Sequence, residues 1–132
     1  MKLLLDTHAF LWYISDDPRL SRYAYNAIRD KSNEVYLSVV SVWEALVKYQ
    51  IGKLPLPEPA DEYIEASRIA HRISDLELDS KAVSRLLSLP ALHSDPFDRM
   101  LICQALNHGL TIVSSDELLR SYPVPILGPT ES

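Results

Sequence analysis

The chain opens on Lys2-Leu3-Leu4-Leu5-Asp6-Thr7-His8, an apolar run that ends abruptly in a carboxylate. A short run without polar alternation reads as a strand buried on both faces, as strands are inside a parallel sheet. The apolar residues from Thr7 to Ile14 continue as a helix, which the Asp17-Pro18 pair breaks. A second helix is expected from about Pro18 to Asp30, and a strand from Glu34 to Val40, where β-branched and aromatic residues gather. Ser41 opens a third helix that ends near Gly52, and Pro55, Pro57 and Pro59 mark a loop.

The second half repeats the alternation. Tyr63, Ala66, Ala70 and Ile73 lie at helical spacing within Ala60 to Ile73, and Asp75 to Leu78 reads as a weak strand. Asp79 can cap a helix that ends before Pro90. A loop with Pro90, His93 and Ser94 leads to Asp95-Pro96, which starts a helix closed by Gly109. Leu110 to Val113 is a short strong strand, Asp116 to Ser121 a short helix and Val124 to Leu127 a last strand. This order predicts an α/β fold, with about five parallel strands covered by helices on both faces. Neither a repeat nor a linker interrupts it, so one domain over residues 1–132 is expected. Ligands of such sheets bind beyond the carboxyl ends of the strands.

With 47% hydrophobic and 23% charged residues, the composition has an ordinary globular balance, and disorder is not the default reading. The single cysteine, Cys103, sits in an apolar run and reads as a small buried hydrophobe. Three leucines are too few for a signal-peptide core, and no apolar run is long enough for a membrane span. A soluble, cytoplasmic protein is expected. The net charge of −5 counts against nucleic-acid binding, although carboxylates gathered around a metal ion would make the formal count misleading.

Four acids fall in comparable places. Asp6 ends the first strand, and Glu44 lies one turn into the helix after the second. Asp98 is in the first turn of the helix leading to the fourth strand, and Asp116 follows that strand. Each has an innocent explanation: Ser41 and Glu44 match a capping box, Asp6 and Asp116 can cap the helices after them, and Asp98 favours a helix dipole. Together at a sheet rim their charges would repel, and a divalent cation removes that conflict. Hard oxygen donors point to Mg²⁺ or Mn²⁺, and such a site suits phosphate chemistry.

The segments Leu3-Leu4-Leu5-Asp6-Thr7-His8, Ser41-Val42-Trp43-Glu44, Asp95-Pro96-Phe97-Asp98-Arg99 with Met100 to Ala105, and Val113-Ser114-Ser115-Asp116 together resemble PIN domains of the VapC toxin type, in the same order along nearly the whole chain. The resemblance implies an α/β/α sandwich in which Asp6, Glu44, Asp98 and Asp116 hold one or two Mg²⁺ or Mn²⁺ ions and a metal-activated water hydrolyses an RNA phosphodiester. Asp6 and Asp98 would be direct ligands. Glu44 would ligate or orient the water, and Asp116 would act through a second water. Thr7 and Ser114 would support metal water or phosphate, or simply cap. Asp95 reads as an N-cap before Pro96 rather than a ligand. Arg99 would meet phosphate, pair with a carboxylate or stay solvated. His8, beside Asp6, reads as structural, and His71, His93 and His108 show no ligand spacing.

The resemblance also implies an RNA substrate, a small antitoxin partner, a homodimer and a larger assembly with the antitoxin. The apolar helix from Thr7 to Ile14, with Tyr23 and Tyr25, offers aromatics either to the core or to such a contact. Two rivals stand beside this reading. A non-catalytic PIN-like binding module would keep the fold without the reaction. A haloacid-dehalogenase-like phosphatase would need a second Asp two residues after Asp6, where this chain has His8.

Overall fold

The computed structural model describes residues 1–130. Its centre is a five-stranded, all-parallel sheet: β1 (Lys2–Leu5), β2 (Glu34–Ser38), β3 (Ser74–Leu76), β4 (Thr111–Val113) and β5 (Ile126–Leu127), in the order β3-β2-β1-β4-β5. Six α-helices accompany it: α1 (Thr7–Ile14), α2 (Arg22–Arg29), α3 (Val39–Gln50), α4 (Ala60–Ala70), α5 (Ser80–Ser84) and α6 (Pro96–His108). Two 3-10 segments, Arg85–Ser88 and Glu117–Ser121, complete the described elements.

The leucine run explains the layers. Successive strand side chains point to opposite faces. Leu3 and Leu5 join a cluster with Phe10 of α1, Ala24 and Ile28 of α2 and Ile64 of α4. Leu4 faces the other way, into a cluster with Leu101, Ile102 and Ala105 of α6 and Leu119. Ile112 and Val113 split between the same two clusters. The apolar run is therefore two alternating patterns superposed, one for each helical layer. All three leucines are fully buried, and each buried side chain contributes roughly 2 kcal/mol of hydrophobic stabilisation. Phe10 belongs to the core, and Leu11, Tyr13 and Ile14 pack against it, so α1 spends most of its apolar surface within the chain.

Several boundaries differ from the sequence reading, each for a local reason. The second helix starts at Arg22 rather than Pro18. Asp17 accepts the Arg19 amide at 2.9 Å and its carbonyl accepts the Leu20 amide, closing a turn before Ser21 caps α2. Strand β2 ends at Ser38, whose hydroxyl accepts the Val40 amide at 3.0 Å, so α3 begins three residues before Ser41 would have capped it. Helix α4 ends at Ala70, and Arg72 at φ 57° turns the chain so that Ile73 enters the core instead. Gly109 closes α6 in the left-handed region at φ 66°, where its lack of a Cβ removes the strain.

After β1 the chain moves outward to β2 and β3. It then crosses back to place β4 on the other side of β1 and continues outward to β5. The connections that leave β1 and β4 therefore diverge. Divergence at the carboxyl ends of adjacent strands opens a crevice, the usual ligand position in open parallel sheets.

Candidate active site

All four acids line one cleft of about 240 Å³ at that divergence, with Thr7, His8, Lys48, His93, Asp95 and Ser115. Asp6 follows β1 directly. Its amide donates to the Val113 carbonyl of β4 at 3.1 Å, and its Oδ1 accepts the Ala9 amide at 2.8 Å. Asp6 therefore caps α1 and faces the cleft at once; the two explanations of this residue are compatible. Burial pushes its carboxyl above the ordinary carboxylate range, and hydrogen bonds from the Ser114 side chain and the Ala9 amide oppose that shift.

Glu44 is only 4% exposed, yet it makes no capping box. With α3 starting at Val39, Glu44 points into the cleft. Its Oε1 accepts the Thr7 hydroxyl at 2.5 Å and its Oε2 the Lys48 ammonium at 2.5 Å. The Ser41 hydroxyl, its expected capping partner, is buried with no hydrogen-bond partner. Burial works against the charge on Lys48, but its hydrogen bond to Glu44 and the charges of Glu44, Asp95 and Asp98 hold its pKa above the usual value.

Asp98 sits in the first turn of α6. Its carboxyl is pushed up to about 7, first by burial and then by the charges of Asp95, Glu44 and Asp6. Asp116 caps the 3-10 segment after β4 through the Leu118 amide at 3.0 Å, while its own amide donates to the Ser114 hydroxyl at 3.0 Å. Between Asp98 and Asp116 stands His93, its Nε2 3.1 Å from an oxygen of each. One donor atom from each of these three side chains lies within 4.8 Å of the others.

His93 is the residue that sequence reasoning passed over. Its one signal is position, two residues before Asp95, and that matters only once the loop folds back over the sheet. Thr7 and Ser114 both bond to site acids, as above. Asp95 accepts the Phe97 and Asp98 amides at 2.8 and 3.3 Å, the geometry of an N-cap. Asp95→Ala is expected to cost about 1 kcal/mol in urea unfolding, and Asp95→Ser to recover most of it. Both variants remove the charge that Asp98 feels, so a midpoint in Asp95→Ala equal to that of Asp95→Ser would show that the cap carries no weight. Arg99 stands apart from the acids: its guanidinium lies against the Leu89 carbonyl at 3.5 Å and its Nε is buried without a partner. His8 stacks on Trp12, with ring centroids 5.5 Å apart.

Residues 3–124 match the family model described as PIN domain. The chain belongs to the PIN-domain family. This PIN domain is 26% identical over 124 residues to Ribonuclease VapC22 of Mycobacterium tuberculosis, an alignment that covers 93% of each chain. Its fold is also that of VapBC2 from Rickettsia felis, solved bound to a DNA fragment from its promoter. There the TM-score is 0.71 at 16% identity, covering 97% of this PIN domain and 98% of that chain. A toxin–antitoxin complex from Klebsiella pneumoniae contains a chain of the same fold, with a TM-score of 0.63 at 15% identity and coverage of 98% and 99%. No helix among the described residues of the PIN domain is long and apolar enough to cross a membrane.

Proposed function

We propose that this PIN domain, one unit over residues 1–132, is a cytoplasmic Mg²⁺- or Mn²⁺-dependent endoribonuclease and the toxin of a toxin–antitoxin pair. The observation that carries the reading is the convergence of Asp6, Glu44, Asp98 and Asp116, from four separate segments, on one cleft at the divergence of β1 and β4. The ribonuclease relative and the toxin–antitoxin neighbour supply the substrate class and the partner. A homodimer, and a larger assembly with the antitoxin, belong to the same reading.

The donor set fits a hard divalent cation. Five carboxylates, the four acids and Asp95, line the cleft with Lys48 as the one lysine among the described residues, and the Asp98 carboxyl is driven to about 7 first by burial and then by the charges of Asp95, Glu44 and Asp6. That repulsion is what one or two Mg²⁺ or Mn²⁺ ions would relieve. When bound, the metal supplies an activated water and offsets charge on the phosphate. The chain's own work is positioning. Ser114 and the Ala9 amide orient Asp6. Thr7 and Lys48 each take one oxygen of Glu44 and so fix the carboxylate that would orient the water. Asp98, in the first turn of α6, and Asp116, after β4, complete the set of acids that lines the cleft.

The test is cleavage of total cellular RNA by antitoxin-free protein, with Mg²⁺ or Mn²⁺, with EDTA, and with Asp6→Asn. Discrete fragments are expected with metal and none with EDTA. Asp6→Asn is expected to lose on the order of 10³-fold in rate, equivalent to several kcal/mol of transition-state stabilisation. Intact RNA from folded, metal-loaded protein would favour the binding-module reading instead. The phosphatase reading lacks its second Asp, because the cleft holds His8 at that position.

A further inference from the structure

His93 is held from three directions. Its backbone amide and that of Leu92 donate to the Tyr122 hydroxyl at 2.8 and 3.0 Å, and Tyr122 is itself 4% exposed. On the ring, Nδ1 lies 3.2 Å from the Asp95 amide, which donates to it. A ring nitrogen that accepts a hydrogen bond carries no proton, so the neutral imidazole bears its proton on Nε2. That Nε2 is the atom 3.1 Å from both Asp98 Oδ2 and Asp116 Oδ2, and the side chain is 11% exposed.

We propose that His93 is a positioning residue, its Nε2–H bonded to Asp116 and its Nε2 edge set against Asp98, which keeps the two carboxylates side by side, and that it is not itself a cation ligand. The proposal rests on reading the acidic cleft as a metal site. A histidine ligand gives the metal a nitrogen lone pair, and in this tautomer Nε2 has a hydrogen there instead. The same hydrogen is directed at Asp116 Oδ2, with Asp98 Oδ2 in electrostatic contact at the same 3.1 Å from Nε2. Asp116 has its other oxygen tied to the Leu118 amide, so His93 fixes it at both ends. Asp98 has the His93 ring as its only polar side-chain contact among the described residues, at 3.1 Å. The buried Tyr122 thus sets the position of two cleft acids through the loop amides and the ring.

Two measurements test this. Long-range proton–nitrogen correlation spectra of the imidazoles, at pH 8 with and without Mg²⁺, read the tautomer directly. A proton on Nε2 alone is expected in both states, and a proton on Nδ1, alone or beside one on Nε2, would overturn the proposal. Mn²⁺ binding, followed by the spin resonance of the free ion, reads the positioning. His93→Ala is expected to weaken Mn²⁺ binding roughly 10- to 100-fold, the usual cost of losing a group that orients a metal ligand. His93→Gln places an amide donor near the Nε2 position and is expected to recover most of the affinity. Unchanged affinity in His93→Ala, or Gln no better than Ala with both variants folded by circular dichroism, would overturn it. Wild-type protein that binds no Mn²⁺ would remove the metal reading of the cleft, while the tautomer would still decide whether His93 bridges the two acids.

Discussion

Asp98→Asn is expected to abolish RNA cleavage and, in the same protein, to raise the melting temperature of the metal-free chain. The two effects share one cause. Burial and the charges of Asp95, Glu44 and Asp6 raise the Asp98 carboxyl from an ordinary 3.8 to about 7. A carboxyl that binds its proton more tightly folded than unfolded stabilises the fold where it is protonated and destabilises it where it is charged. That contribution is fully present below pH 3.8 and is lost as pH rises through about 7. Asparagine carries no charge to be repelled, so the variant is expected to melt several degrees higher than wild type at pH 8 without metal. Near pH 4 the gap should close, and Mn²⁺ should close it from the other side by stabilising wild type alone. A variant that melts lower than wild type at pH 8 in EDTA would contradict the repulsion argument. Retained cleavage in a folded variant would contradict the role of Asp98.

The largest loss of stability is expected from Leu4→Ala. Leu4 is fully buried in the central strand and packs against the α6 layer. Leucine-to-alanine changes at such positions cost about 3–5 kcal/mol, the transfer term plus the cavity left behind. Set against a typical domain stability of about 5–15 kcal/mol, that is roughly a fifth or more of the total. The urea midpoint should fall accordingly. Leu87→Ala is the control: Leu87 is 95% exposed and its truncation should leave the midpoint nearly where it was. A small effect at Leu4 would mean that the α6 layer closes over the gap.

The sheet was legible because its strands are buried on both faces and so lack polar alternation, a pattern that survives in one dimension. The four acids were legible because strand ends and helix starts fix where a residue sits along the sheet. Contacts across long separations were not. Glu44 meets Thr7 across 37 positions, and Ser38 meets Gln104 across 66. The choice of Ser38 over Ser41 as the cap of α3 follows from where β2 stops pairing with its neighbours, which Ser41 and Glu44 by themselves do not encode. His93 was invisible for the same reason, because its partners lie on α6 and beyond β4. Arg99 was placed beside Asp98 by adjacency, but neighbours on a helix point about 100° apart, and its side chain turns to the Leu89 carbonyl instead.

The central position of β1 sets a timetable for synthesis. Leu3 finds one lateral neighbour in Val35 and the other only in Thr111, much later in the chain. Pairings of that separation close late and slow the acquisition of the native state. Asp6 is made well before Asp98 and Asp116, and without those two the cleft lacks half of the four acids. Any chemistry that needs all four carboxylates is therefore withheld from the growing chain until Asp116 has been made and folded into place.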